Sequence, residues 1–169
     1  ETLTVVPAAS TSIYDKAGNA ASTSQSGNTA SLTEKILPTI TDVTSTTGNG
    51  SYKQGETIAI TVVFSEVVNV TGTPQLTLET GGSDAVVDYS SGTGSTTLTF
   101  NYTIGSGETS GDLDYESTSS LALNSGTIKD AALNAATLTL ATPGDPNSLG
   151  ANKDLIVDTT VPTVTGVTS

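Results

Sequence analysis

The chain has 169 residues and a net charge of −12, set by 17 acidic side chains against five lysines and no arginine. It contains no Cys and no His, which excludes disulfides, thiolate metal sites, ordinary zinc sites and Ser-His-Asp or Cys-His catalysis from this segment. So acidic a surface repels phosphate backbones and anionic lipid, which argues against nucleic-acid and membrane-surface binding, and no apolar run approaches the roughly 20 residues that span a bilayer.

Ser, Thr, Gly, Ala and Val dominate, yet the apolar residues alternate in ordered runs, so the chain reads as folded. Residues 1–37 offer LTVV, SIYD and TASLTEKIL, strand-like pieces that lack the partners needed for a core. Pro38 then opens a series of short strands. ITDVTS lies within a first strand at 39–46, and Asn49-Gly50 after it is a hairpin or tight-turn signal. TIAITVVF (57–64) puts Ile58, Ile60, Val62 and Phe64 on one face, with Thr57, Thr61 and Val63 mostly on the other. QLTLE (75–79) and AVVDY (85–89) follow, divided by Gly81-Gly82. SSGTGS turns the chain into STTLTFNYTI (95–104), with Leu98, Phe100, Tyr102 and Ile104 inward. LDY (113–115), LAL (121–123), TIKD (127–130), TLTL (137–140) and LIVD (155–158) complete at least seven strands. Period-2 patterns with short turn-rich links predict an all-β fold, an immunoglobulin-like antiparallel β-sandwich.

The chain also resembles itself. IYDKAGNAA at 13–21 returns as IKDAALNAA at 128–136, and PTITDVTS at 38–45 returns as PTVTGVTS at 162–169. The first pair is offset by 115 residues and the second by 124, so the later copy carries nine extra residues, most simply within ATPGDPNSLG (141–150). Self-similarity of this kind is the mark of a tandem repeat. The expected organisation is therefore the closing strands of one repeat (1–37, with donation of a strand to a neighbour as the alternative), a complete repeat (38–161) and the first strand of another (162–169). Partners would be neighbouring repeats of the same polypeptide, or identical subunits that exchange strands.

Several segments carry a more specific likeness. VDTTVPTVTGVTS, the FSE of 64–66, GTPQLTLETGG, GSTTLTFNYTI, DLDYESTSSLALNSGTIKDAALNAATL and SLGANKDLIVD resemble the bacterial Ig-like repeats of giant secreted, calcium-dependent surface adhesins of the RTX and biofilm type. The resemblance covers most of 38–169 and, more loosely, 1–37. It implies a secreted, cell-surface protein that acts in attachment and biofilm formation, with calcium holding the domain joints straight. Two positions depart from that pattern: Leu133 stands where the D-x-x-G-N motif has Gly, and Glu34 stands where the later copy has Asp158.

Carboxylates are the strong functional groups available. In an Ig-like strand order Glu66, Asp130 and Asn134 come to one pole with Glu34 and Pro38, and Asp158 serves the equivalent pole of a following domain. Oxygen ligands of this kind suit Ca²⁺, which takes 6–8 of them in flexible geometry. The alternative is that Asp130 and Asn134 cap a turn through their own backbone while Glu66 is solvated. A second group, Glu108, Asp112, Asp114 and Glu116, places Asp112, Asp114 and Glu116 on one face if 112–116 is a strand. That face reads as a second cation site or, more simply, as a charged edge that blocks edge-to-edge pairing. Two carboxylates can run a glycosidase, but two Phe, five Tyr and no Trp provide few sugar platforms, so no enzymatic activity is expected.

Overall fold

A computed structural model describes residues 2–4, 16–17, 19, 29–31 and 35–167. The chain divides into two units, Glu1–Ile36 and Leu37–Ser169. In the first, β1 (Thr2–Thr4) and β2 (Thr29–Ser31) pair antiparallel, with Thr2 opposite Ser31. The strand expected at SIYD lies outside the described residues.

The second unit is nearly all β. Its strands are β3 (Ile40–Ser45), β4 (Gly50–Tyr52), β5 (Thr57–Thr71), β6 (Gln75–Leu78), β7 (Ala85–Ser91), β8 (Ser95–Thr103), β9 (Thr109–Ser110), β10 (Leu121–Ala122), β11 (Thr127–Lys129) and β12 (Leu155–Asp158), with one short helix, α1 (Leu149–Asn152). Seven strands make a curled antiparallel sheet in the order β10-β6-β7-β8-β5-β11, with β3 also on β5. The second sheet places β12 between β4, to which it is parallel, and β9, to which it is antiparallel. Among the described residues no helix is long and apolar enough to cross a membrane.

The alternating pattern of β5 and β8 builds the core. Ile58 opposes Tyr102, Ile60 opposes Phe100 and Val62 opposes Leu98, and all six are buried. Burying aliphatic and aromatic side chains of this size contributes about 1.5–3 kcal/mol each. Thr61, expected outward, is also buried, because Thr44 of β3 and Thr99 of β8 flank it from both sides.

Beyond Phe64 the pairing slips. Val63 faces Thr97 and Val68 faces Ser95, so five residues of β5 span what two of β8 span, and Ser65–Val67 bulge out. This lets β5 continue well past the expected end at 64 and hand its other edge from β3 to β11, where Val70 meets Ile128. A smaller bulge at Thr41 of β3 turns both Ile40 and Val43, three residues apart, onto the core.

Two expected strands are absent as strands. Segments 113–115 and 137–140 make only single bridges, Leu78 with Tyr115 and Thr39 with Thr137, yet Leu113, Tyr115 and Leu140 are buried. Nor does Asn49-Gly50 close a two-residue hairpin: the chain leaves β3, crosses as β4 to the second sheet, and returns as β5. The 141–150 segment and α1 have a structural task. Val43 N–H donates to Asn147 O at 3.0 Å, and Asn152 Nδ2 donates to Asp42 Oδ1 at 2.6 Å and Val43 O at 2.8 Å. Thus α1 and the loop before it cap the outer edge of β3, which would otherwise present unpaired backbone.

Candidate functional site

β11 brings the first candidate group into place. Its pairing with β5 ends at Lys129 opposite Asn69, so Asp130 is the next residue in the direction of Glu66. The chain then turns: Asp130 N–H donates to Asn134 O at 3.1 Å, and Leu133 N–H donates to Asp130 O at 3.3 Å. Asp130 is buried, and its two carboxylate oxygens accept from Asn134 N–H and Asn134 Nδ2, both at 2.7 Å. Thr137 N–H reaches Pro38 O at 2.8 Å, while Ser65 N–H reaches Thr39 O at 2.8 Å. Pro38, the 130–137 turn and the start of the β5 bulge therefore lie together.

In the bulge itself Glu66 is half-buried, with Oε1 shielded from solvent. The carboxylates of buried Asp130 and half-buried Glu66 are hard oxygen donors of the kind Ca²⁺ takes. The hydrogen bonds of Asp130 to Asn134 equally satisfy the turn-capping reading. Among the described residues no three acidic side chains converge on one point, and Glu34 lies outside the described residues. Asp158 sits elsewhere, at the end of β12, exposed, with Oδ1 accepting from Thr160 N–H at 2.8 Å. It adjoins Lys53 and Glu56, just before β5 begins, roughly 30 Å along that strand from Glu66 at about 3.3 Å per residue.

The second acidic group disperses, because 112–116 is not a strand. Asp112 is exposed at a bend, and its carboxyl is held above the ordinary 3.8, first by partial desolvation and then by the charges of Asp154 and Asp114. Asp114 is buried, so the solvated-edge reading does not apply to it. Its Oδ1 accepts from Tyr115 N–H at 2.9 Å and its Oδ2 from Gly144 N–H at 3.0 Å, tying the segment to the 142–148 loop. Glu116 is exposed. Glu108 is held locally, its Oε2 accepting from Tyr102 O–H at 2.7 Å and Gly105 N–H at 2.6 Å. Burial and this anionic partner push the Tyr102 hydroxyl well above the ordinary phenol range.

Two features were not anticipated from residue types. Leu133 adopts φ 71° while its side chain is 74% exposed, a pairing of strain and exposure that a leucine gains nothing from locally. In addition, β7 and β8 part company after a short paired stretch and leave an open cleft, signalled in the sequence only by acids in alternation at Asp84 and Asp88. Comparison with protein-family models, with curated proteins and with solved structures found no match.

Proposed function

We propose that this chain is a non-enzymatic extension repeat of an extracellular bacterial adhesin, an Ig-like sandwich unit that spaces a distant binding region from the cell and supports attachment or biofilm formation. One observation carries the reading. In β3 the PTITDVTS copy has Val43 at 0% exposure, whereas in the PTVTGVTS copy the matching Val167 is 90% exposed and Val164, which matches Ile40, is 85% exposed. A sequence suited to a core strand thus stands without a seat. Its valines are three apart, so both can face one core only through a bulge like that of β3 at Thr41. A β5-type strand of a following repeat has the matching register.

The test is a chain in which residues 162–169 run on into a second copy of 46–161. Val164 and Val167 amides should gain hydrogen-exchange protection comparable to Ile40 and Val43. Exchange as fast as in the 169-residue chain would remove the tandem-repeat reading. Concentration-dependent oligomers of the original chain with protected Val164 would instead favour the second reading, a fibre built by strand complementation between identical subunits.

Calcium belongs to the proposal as the ion that stiffens the pole of Glu66, Asp130 and Asn134 and, at a following joint, that of Asp158. Titration of Ca²⁺ against Mg²⁺ should raise the melting temperature selectively, and Asp130→Asn should abolish the difference. An identical melting curve with and without Ca²⁺ would reduce Asp130 and Asn134 to a turn cap.

A further inference from the structure

β7 and β8 pair only where Tyr89 meets Phe100 and Ser91 meets Thr99. Before that point β7 gives one edge to β6, with Ala85 opposite Leu78 and Asp88 opposite Gln75. Past it β8 gives one edge to β5, with Asn101 opposite Ala59 and Thr103 opposite Thr57. The facing edges diverge around an open cleft of about 720 Å³ between Asp84–Ser90 and Asn101–Thr103, closed at one side by Glu108. Among the described residues no strand pairs with the cleft-facing edges of Ala85–Val87 or Tyr102–Thr103. The edge of β3 offers a contrast, since α1 and its loop cover it.

We propose that this cleft is a strand-addition site for an extended, lysine- or arginine-bearing peptide segment of another protein. Backbone N–H and C=O groups along a free edge give such a segment its affinity, while side chains at alternate positions give it selectivity. Residues 84, 86 and 88 alternate on one face: Asp84 and Asp88 are exposed acids, and Val86 between them is 58% exposed. Glu108 adds a third carboxylate to the rim. No cationic side chain lines the cleft. Opposite-charge and apolar cross-strand pairs stabilise added strands, so the fitting pattern is cation, any residue, aliphatic, any residue, cation. A second copy of this chain, at −12 with five lysines in 169 residues, is the wrong partner by charge.

The probes are three fluorescent heptapeptides titrated against the full 169-residue chain: Thr-Lys-Thr-Val-Thr-Lys-Thr, its Glu counterpart, and a version with proline at the alternate threonines. The Lys peptide should bind and slow amide exchange within 85–87 and 102–103. The Glu peptide should bind at least about tenfold more weakly, as should the Lys peptide to the Asp84→Asn/Asp88→Asn double variant. Both aspartates are exposed, so an unchanged melting temperature will show that the variant keeps its fold. Proline removes the donors a ladder needs, so the proline peptide should also lose at least about tenfold. Equal binding of the proline and Lys peptides would overturn strand addition in favour of simple charge attraction. No binding of the Lys peptide at millimolar concentration, or no effect of the double variant, would overturn the site itself.

Discussion

Leu133→Gly should make the second unit more stable, although it deletes a large apolar side chain. Leu133 holds φ 71°, a left-handed conformation in which Cβ crowds the following carbonyl at a cost of about 1–2 kcal/mol. With 74% of its surface exposed, the side chain recovers little of this by burial. Glycine removes the crowding but enlarges the unfolded ensemble, costing about 0.5–1 kcal/mol. The net gain is roughly 0.5–1 kcal/mol, or a rise in melting temperature of about 1–4 °C for a unit of this size. Three variants read together isolate the backbone term by urea denaturation. Gly should lead, Asn should gain a few tenths of a kcal/mol because it tolerates this region, and Ala should match Leu. Should Gly prove less stable than Leu by more than about 0.5 kcal/mol, the strain argument fails and the leucine must be burying its side chain against something outside this unit.

Three further substitutions probe other parts of the argument. Asp112→Asn should stabilise the protein near neutral pH. A carboxyl raised in the folded state favours its protonated form, so its contribution is fully present below the ordinary 3.8 and lost as pH rises through the folded value; the advantage of Asn should therefore vanish in urea melts repeated at progressively lower pH. Asn152→Ala strips two hydrogen bonds from the capped edge of β3 and should cost about 1–3 kcal/mol, with faster exchange of the Val43 amide as the site-specific sign. Gly92→Ala places a Cβ 2.1 Å from Thr97 O at φ 113°, which should cost more than about 2 kcal/mol in denaturant melts; a neutral result would mean the β7–β8 turn has a different shape.

Alternation made most of the second unit legible. Where polar and apolar residues alternated, as in TIAITVVF, QLTL and STTLTFNYT, the residues expected inward are buried, with Thr61 buried beside them. Legibility failed where side chains are buried without a ladder. Leu113 and Tyr115 carry strand-like residues, but Leu113 N–H spends its bond on Leu155 O and Tyr115 O–H reaches Ala141 O at 2.7 Å, contacts between segments too distant in sequence for a local pattern to reveal. The second half of β5 was hidden for the opposite reason. Ser65-Glu66-Val67 breaks the alternation because it bulges, and the pattern resumes at Val68, which is buried. At the candidate site the sequence could bring Asp130 and Asn134 together through their spacing, yet it could not reveal that Asn134 occupies both oxygens of Asp130.

The nine-residue difference between the two sequence copies illustrates how far local reading extends. It points to 141–150 but assigns that segment no role; the structure gives it the edge of β3 through Asn147, and Asn152 just beyond it bonds Asp42 across 110 residues. Asp42 is also where the copies disagree, since PTVTGVTS has Gly166 in its place. A strand with glycine at that position can take a β3-type seat, because Ile40 and Val43 are matched by Val164 and Val167, but it cannot receive the side-chain bond that Asp42 does. Core-facing and edge-facing residues of this strand therefore answer to different constraints. The first pair, Ile40 and Val43, requires a bulged register on β5, while the edge contact depends on a loop more than a hundred residues away.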